Sequence, residues 1–361
     1  MRKVYVLALL FAASATSAQI SWYKQIDGAI GNYSVTVHLH KAGHTYTGYY
    51  DYASTQVPVH FTGDDTTVKG FINLTAFPSP DAVEFLTFAL RDSVVSGSWK
   101  KETDPHPLPF KGKEASGLLL NYVHEEGEKK LLPQVTGSPQ ATYFAGSVWP
   151  TGATEQDNFL KKVLLQLYDE KAPMADIAVL MKQKKETFFQ QYVADMKDVK
   201  PADFKEPSFV FNSDQTNRIL LAYAKGNLAT FAKFSYVYSG GAHGHYSTTF
   251  QSVNLAAKKK LTVSDILTAT GQKQLSPLLS WALRSQFSLK PTDALSEVLF
   301  ENRISPNNNF YITEKGIGFV YNPYEIAAYA VGEIHLFIPF KNLQNGLQPS
   351  FQKLLAALKR N

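Results

Sequence analysis

Short runs of alternating apolar and polar residues fill the first third of the chain, and they restrict its fold more than any other feature. Val35, Val37 and Leu39 alternate with polar neighbours, which is the period of a strand with one buried face. Similar runs, separated by Gly and Asp residues typical of turns, follow at 46–52, 57–61, 71–74, 84–90 and 94–99. This regular spacing predicts an antiparallel meander, in the form of a small barrel or a curved sheet.

A proline-rich segment ends this series of strands. Pro105, Pro107 and Pro109 occupy alternate positions, and proline cannot donate a backbone hydrogen bond to a sheet. Helical and strand patterns are mixed in the remainder, which predicts an α+β fold with antiparallel sheets rather than a parallel doubly wound sheet. We therefore expect a β-rich domain at 19–112, a first α+β module at 113–205 and a second α+β domain at 206–361.

Capping residues and periodicity predict several elements of the α+β region. Thr154 and Asp157 have the spacing of a capping box before an apolar helical face. Pro173 suits the first turn of a second helix. Apolar runs predict strands at 209–211, 219–223 and 228–238, a helix at 275–287, a hairpin turn at 314–316 and strands at 317–321 and 333–340.

Residues 1–18 have the pattern of a secretory signal peptide. Arg2 and Lys3 precede a short apolar run, and small residues lead to Ala18. The apolar run is shorter than the about 20 residues that a helix needs to span a bilayer. We expect cleavage after Ala18, which lowers the formal net charge from +5 to +3. The expected product is a periplasmic or secreted protein without a membrane span.

Composition and motif searches exclude several classes of protein. The chain contains no cysteine, which excludes disulfides, Cys-ligated zinc and a thiol nucleophile. It lacks a basic stripe interleaved with aromatic residues, so nucleic acid is not an expected partner. It also lacks a serine-hydrolase elbow, an H-E-x-x-H zinc motif and a glycine-rich phosphate loop. These exclusions favour a binding protein over an enzyme, with no catalytic residue, metal or cofactor expected.

The segment Ser239–His245 is the most unusual in the chain. It reads Ser-Gly-Gly-Ala-His-Gly-His between two apolar strands, and so many glycines allow a left-handed or crowded backbone. A histidine held on such a loop can be presented to a ligand, because imidazole transfers protons and binds metals. The alternative is a tight connection between strands with a hydrogen-bonded histidine. Both interpretations remain open from the residues alone.

A pair of histidines on a predicted strand allows a second interpretation of function. His38 and His40 lie two residues apart and therefore point to the same face of the strand. With a third ligand such as His60 they could form a zinc site. A metal-assisted hydrolase acting on envelope polysaccharide, through this pair or through His243 and His245, is therefore the alternative function. The favoured interpretation places the pair on the polar face of an amphipathic strand.

Several sequence blocks in the second half are similar to a known family. They are the Y-V-Y-S-G-G-A-H-G block at Tyr236–Gly244, the L-T-V-S-D-I-L string at Leu261–Leu267 and the N-P-Y-E-I-A string at Asn322–Ala327. These blocks resemble the extracellular domain of RsiV-like proteins, and the resemblance covers about residues 115–345. Asn158–Leu160 and Phe188–Tyr192 resemble the module that precedes this domain, a pair also found in PdaC-type peptidoglycan deacetylases.

The resemblance implies binding rather than catalysis. In RsiV-like proteins the two modules form a lysozyme-sensing ectodomain, so lysozyme or a cell-wall glycan is the implied partner. The β-rich domain also resembles small domains of other bacterial envelope proteins at 28–31 and 48–52. We therefore expect an exported, non-catalytic binding protein of the cell envelope. Its candidate ligand-binding residues are Gly240, Gly241, His243, Gly244, His245, Tyr324 and Glu325.

Overall fold

The computed structural model describes residues 20–79, 82–169, 176–204, 208–343 and 345–359. The expected signal peptide at 1–18 and the predicted helix start at Pro173 lie outside these residues. None of the helices within them is both long enough and apolar enough to cross a membrane.

The N-terminal strands form a closed, eight-stranded antiparallel barrel. Strand β1 closes it by pairing with β8 along residues 26–30. At this seam a Cβ on Gly28 would lie 2.4 Å from the carbonyl oxygen of Lys111, so glycine lets the two backbones approach. Alternate side chains, among them Phe61 and Phe88, fill the interior. The strands are β1 (Ser21–Ile30), β2 (Tyr33–Ala42), β3 (Thr45–Tyr52), β4 (Val59–Asp64), β5 (Ile72–Ser79), β6 (Ala82–Arg91), β7 (Val94–Lys101) and β8 (Leu108–Glu114).

A six-stranded sheet follows the barrel, in the order β14-β13-β12-β11-β10-β9. Its strands are β9 (Leu120–Lys130), β10 (Gln140–Pro150), β11 (Ser213–Lys225), β12 (Leu228–Tyr238), β13 (His245–Asn254) and β14 (Lys259–Lys260). Strands β10 and β11 are parallel, so the chain crosses between them through helices α1 (Glu155–Tyr168) and α2 (Ile177–Asp195). The capping box predicted for α1 is confirmed, because Thr154 and Asp157 exchange hydrogen bonds.

The C-terminal part is a three-stranded sheet covered by helices. Its strands are β15 (Phe310–Ile312), β16 (Gly316–Tyr321) and β17 (Ile334–Pro339), and its helices are α3 (Val263–Ile266), α4 (Ala269–Lys273), α5 (Leu275–Gln286) and α6 (Pro349–Leu358). The Thr230 hydroxyl on β12 donates to the carbonyl of Ile312 at 2.8 Å. The amide of Ile312 in turn donates to Ser252 on β13 at 3.0 Å. These bonds fix the small sheet against the six-stranded sheet.

The predicted α+β class is therefore confirmed, with the antiparallel barrel first and the mixed sheets and helices after it. The predicted helix at 275–287 and the hairpin before β16 are also present. The expectation that the proline-rich segment ends the series of strands is wrong, because Pro109 lies in β8, which pairs with β7 and closes the barrel on β1. The predicted strand at 209–211 is also wrong, because Ser208–Phe211 is a 3-10 turn. Three apolar residues in succession do not distinguish a short strand from other buried structure.

A buried histidine of β2, His40, joins the barrel to the six-stranded sheet, and its neighbour on the strand, His38, bonds within the barrel. Nε2 of His40 accepts the backbone N–H of Leu221 at 3.2 Å, beside a bulge in β11. Nδ1 of His38 lies 2.8 Å from the hydroxyl of Tyr23. Both histidines are fully buried, so their assignment to the polar face of a strand is wrong. The predicted strand is present as β2, but its second face is covered by the six-stranded sheet instead of by water.

Candidate functional site

A cleft of about 530 Å³ lies between the barrel and the two sheets. Its lining is mostly aromatic and aliphatic, with a few polar groups. The barrel contributes Tyr49, Val57, Pro58, His60, Phe77, Pro78 and Ser79. The sheets, α5 and the segment before β17 contribute Phe234, Tyr246, Thr248, Gln286, Tyr311, Val331, Gly332, Glu333, His335 and Phe337. The volume is within the usual range for small-molecule sites.

Glu333 and His335 form a polar pair in this cleft. They are two residues apart at the start of β17, so both side chains leave the same face. Nε2 of His335 lies 3.1 Å from Oε2 of Glu333, whose side chain is 15% exposed. Oε1 of the same carboxylate is buried and has no hydrogen-bond partner. One acceptor atom is therefore left for a ligand.

Glu333 is ionised at neutral pH despite its burial. Burial is the largest single influence and raises the pKa of this carboxyl. The hydrogen bond and charge of His335, the nearby Thr248 hydroxyl and the electrostatic influence of His60 together outweigh burial, so the pKa of Glu333 lies below its ordinary value. An ionised carboxylate in a cleft of low polarity exerts a stronger field than one in water.

His60 is held neutral at the barrel side of the cleft. Its Nε2 lies 3.3 Å from the Thr47 hydroxyl, and its ring centroid lies 5.2 Å from that of Tyr49. Burial, followed by the charge of the Arg218 guanidinium, lowers the pKa of His60 to about 4. The charge of Glu333 opposes this shift but does not reverse it.

The glycine-rich loop at 239–245 presents an exposed histidine. Gly240 and Gly241 have φ of +87° and +90°, a backbone conformation that favours glycine. A Cβ on buried Gly244 would lie 2.4 Å from the ring of Tyr236, so this position is crowded. The imidazole of His243 stacks on the ring of Tyr329, with centroids 4.1 Å apart. The loop is thus held against a side chain that the sequence analysis did not identify.

Tyr324 also contacts the ring of Tyr329. Its ring centroid lies 5.4 Å from that of Tyr329, and the side chain is 53% exposed at a φ of +68°. The hydroxyl of Tyr329 donates to the carbonyl of Gly244 at 2.8 Å. Tyr329 therefore brings together two of the predicted site residues, His243 and Tyr324.

The remaining predicted residues have other surroundings. The carboxylate of Glu325 accepts hydrogen bonds from the amide of Asn322 at 2.9 Å and from the side chain of Asn307 at 2.7 Å, so it stabilises its own turn. His245 is exposed at the start of β13, opposite Val237. Neither residue lines the cleft or contacts Tyr329 in the described part of the chain.

The loop residues and the cleft form one continuous region. Tyr246 lines the cleft, and its ring centroid lies 5.9 Å from that of Tyr329. Gly332 also lines the cleft and lies three residues after Tyr329. A Cβ added at this glycine would lie 3.3 Å from the Tyr246 hydroxyl, so the backbone here is close to Tyr246. We call His243, Tyr246, Tyr324 and Tyr329 the aromatic cluster. It extends the cleft towards the glycine-rich loop.

Part of this region is similar to a known protein family. Residues 264–341 match the family described as "Protein of unknown function (DUF3298)". The matched segment runs from α3 to the end of β17 and contains Tyr324, Tyr329, Glu333 and His335. It therefore supplies one wall of the cleft and half of the aromatic cluster.

Solved structures similar to the chain include two from the DUF3298 family. A DUF3298 family member from Bacteroides fragilis has 22% identity and a TM-score of 0.59, over 68% of this chain and 100% of that one. A DUF3298 family protein from Pseudomonas aeruginosa has 18% identity and a TM-score of 0.46, over 64% of this chain and 96% of that one. No curated protein matches the chain. The first similarity shows a shared fold over the matched part.

The ring nitrogens of two histidines considered as metal ligands have hydrogen-bonding partners within the protein. Nδ1 of His40 lies 3.2 Å from the carbonyl of Thr47, and its Nε2 accepts the Leu221 amide, so both ring nitrogens are engaged. Nδ1 of His243 lies 2.9 Å from the carbonyl of Gly244. Across the described ranges, no three His, Asp or Glu side chains are grouped so that they could bind a metal ion.

The sequence contained a signal for the cleft that motif searches did not recognise. Glu333, His335 and Phe337 alternate with the buried Ile334 and Leu336, which indicates a strand with one mixed face. The pair interrupts an otherwise apolar stretch at the end of the chain. A Glu and a His on the same face of such a strand are candidates for a site, because burying them unpaired is costly.

Proposed function

We propose that this protein is an exported, non-catalytic binding protein of the cell envelope that binds its ligand in the cleft and on the adjoining aromatic cluster. The observation that carries the proposal is the continuity of the two surfaces through Tyr246. Export is expected from the signal-peptide pattern of residues 1–18.

The chemistry of the region supports binding. Ligand sites are concave and mostly apolar, with a few polar groups that orient the ligand. The cleft has this composition, with the pair Glu333 and His335 as its polar centre. The aromatic cluster adds the exposed ring of Tyr324, and tyrosine is enriched where proteins recognise partners.

The resemblance to RsiV-like proteins supplies the first partner to test, which is lysozyme, and a cell-wall glycan is the second. A partner protein would cover the aromatic cluster, while a segment of it or a sugar would enter the cleft. The mild positive charge of the chain offers no long-range attraction to a basic lysozyme. Recognition would therefore rely on contacts at this region.

The test is a titration of the protein from Gln19 onwards with a c-type lysozyme and with soluble peptidoglycan fragments, at physiological salt so that weak electrostatic association is screened. We expect saturable binding of one of them. The double variant His243→Ala and Tyr324→Ala should weaken that binding by about tenfold or more, because exposed aromatic anchors dominate binding energies.

A matched control is Tyr33→Ala. Tyr33 is 61% exposed on the barrel and lines neither the cleft nor the aromatic cluster, so its loss should leave the affinity unchanged. Equal affinity of the wild type and the double variant would reject the assigned surface. Failure of both ligands to bind would remove the partners implied by the resemblance.

A further inference from the structure

We infer that the cleft binds a small organic cation, with its ammonium group paired to the carboxylate of Glu333 and its apolar body packed against the tyrosine and phenylalanine rings. This inference rests on the proposed function, because it assigns a ligand chemistry to the same cleft. Three features of the cleft support it: the charge of the lining, the unpartnered oxygen of Glu333 and the surrounding rings.

The charge of the lining favours a cation. Glu333 is the one carboxylate among the described residues of the lining, which include no Lys or Arg. His60 stays uncharged at neutral pH because burial and the charge of Arg218 lower its pKa to about 4. His335 is bound to Oε2 of Glu333, which leaves Oε1 without a partner.

Arg218 is a partly buried cation that influences His60 but does not line the cleft. Its guanidinium lies 4.6 Å from the ring centroid of Phe144, and neither residue lines the cleft. Its charge lowers the pKa of His60, which does line the cleft. An anionic ligand would therefore meet the carboxylate of Glu333 without a cationic side chain to bind it.

The unpartnered oxygen of Glu333 gives the cation a defined position. Oε2 is occupied by His335, whereas buried Oε1 has no hydrogen-bond partner. A buried carboxylate oxygen without a donor is unfavourable. An ammonium donor at this atom would form a charge-assisted hydrogen bond, which is stronger than a neutral one.

Aromatic rings complete the site for the cation and for its apolar body. Tyr49, Tyr246, Tyr311, Phe77, Phe234 and Phe337 all line the cleft. The faces of such rings attract cations, and cages of aromatic side chains bind ammonium groups in other proteins. Phe77 is 50% exposed, so it is available to pack against the apolar body. A carboxylate among aromatic rings is the expected chemistry for an amine with a hydrophobic substituent.

The experiment compares three probes of nearly equal shape at pH 8: 4-phenylbutylammonium, 4-phenylbutanol and 5-phenylvalerate. Ligand-observed NMR titrations of the protein from Gln19 onwards measure each affinity. We expect the ammonium probe to bind about tenfold or more tightly than the alcohol, because only the ammonium is paired with the carboxylate. The carboxylate probe should show no saturable binding.

Glu333→Gln should remove the preference for the ammonium probe, so that it and the alcohol bind about equally. Glu301→Gln is the matched control, because Glu301 is exposed, pairs with Arg303 and does not line the cleft. It should leave all affinities unchanged. The comparison of probes on the wild type tests the inference even if Glu333→Gln does not fold.

Three outcomes would overturn the inference. Equal binding of the ammonium and alcohol probes would leave the cleft a binding site but without selectivity for cations, and the proposed function would stand. Preferential binding of the carboxylate probe, or no saturable binding of any probe, would show that the cleft does not recognise organic cations. The proposed function is then decided separately by the His243→Ala and Tyr324→Ala variant.

Discussion

Nε2 of His40 lies 3.2 Å from the amide nitrogen of Leu221, although 181 residues separate them in the chain. The bond joins strand β2 of the barrel to strand β11 of the six-stranded sheet. It satisfies a backbone donor at a position where β11 contains a bulge, and buried donors without a partner are costly. The contact therefore helps to fix the barrel beside the sheet, and the cleft lies between these parts.

Replacing His40 with leucine should destabilise the protein. His40→Leu keeps a side chain of similar size but leaves the Leu221 amide without an acceptor, which costs about 1–3 kcal/mol in the free energy of unfolding. Urea unfolding followed by circular dichroism measures the change. His106→Leu is the control, since His106 lies in an exposed loop. An unchanged unfolding midpoint for His40→Leu would show that the bond contributes nothing to stability.

The stability of the protein should fall in acid because of its buried histidines. Burial lowers the pKa of His38 and of His40 to about 3, and burial and the charge of Arg218 lower the pKa of His60 to about 4. Below about pH 6.5 these groups take up protons in the unfolded chain but not in the folded one. Stability is therefore lost as the pH falls from about 6.5 towards 3–4.

Each such histidine contributes a slope of up to about 1.4 kcal/mol per pH unit. Urea unfolding at pH 7, 6, 5 and 4 measures the total slope, to which carboxylates also contribute. In His40→Gln one titrating group is removed, so the slope should become shallower by up to this amount. An identical slope in the variant would contradict the assignment of His40 as neutral in the folded protein.

Asp51 should reduce stability at alkaline pH. This side chain on β3 is buried, and its Oδ2 has no hydrogen-bond partner. Burial, reinforced by the charge of Asp27 and opposed by Lys225, raises the pKa of Asp51 from 3.8 to about 7. The unfolded chain therefore loses this proton at a lower pH than the folded one. The stability present below about pH 4 is lost as the pH rises towards 7.

The substitution Asp51→Asn should remove the loss of stability that ionisation of Asp51 causes. The variant should be more stable than the wild type at pH 8 by up to about 4 kcal/mol, because each pKa unit between 3.8 and about 7 corresponds to about 1.4 kcal/mol, and the advantage should shrink as the pH falls to 4. Thermal unfolding at both pH values measures it. Asp198→Asn, at an exposed position, should have no such effect. A variant that is less stable than the wild type at pH 8 would contradict the prediction.

Tyr329→Phe should loosen the glycine-rich loop while preserving the aromatic contact. The substitution removes the hydroxyl that donates to Gly244 but keeps the ring that stacks on His243. A cost of about 1 kcal/mol is expected for one hydrogen bond, visible as faster amide hydrogen exchange at 240–245. Tyr329→Ala should also abolish the stacking and weaken partner binding further. Equal exchange rates in the wild type and Tyr329→Phe would show that the hydroxyl does not hold the loop.

The strands of the barrel could be predicted from the sequence because alternation is a local property. The closure of the barrel could not, since the pairing of β1 with β8 joins segments far apart in the chain. For the same reason the burial of His38 and His40 escaped prediction. An alternating polar residue looks the same whether water or a second sheet covers it.

The candidate site was predicted in part. His243 and Tyr324 were selected from their sequence context, and the structure brings them together through Tyr329. Tyr329 has no local signal, because a tyrosine among alanines suits a core as well as a surface. Glu325 was selected with its neighbour, but it stabilises a turn. Adjacent residues on a turn can point in different directions, so a sequence block does not define a surface.

The sequence by itself determined the α+β class, most strands of the first third and the glycine-rich loop, because each depends on residues close together in the chain. The tertiary structure alone decided where the cleft lies and which groups face it. His60 comes from the barrel, whereas Glu333 and His335 come from the last part of the chain. Their proximity depends on how the barrel packs on the sheets, and that packing leaves no periodic pattern in the sequence.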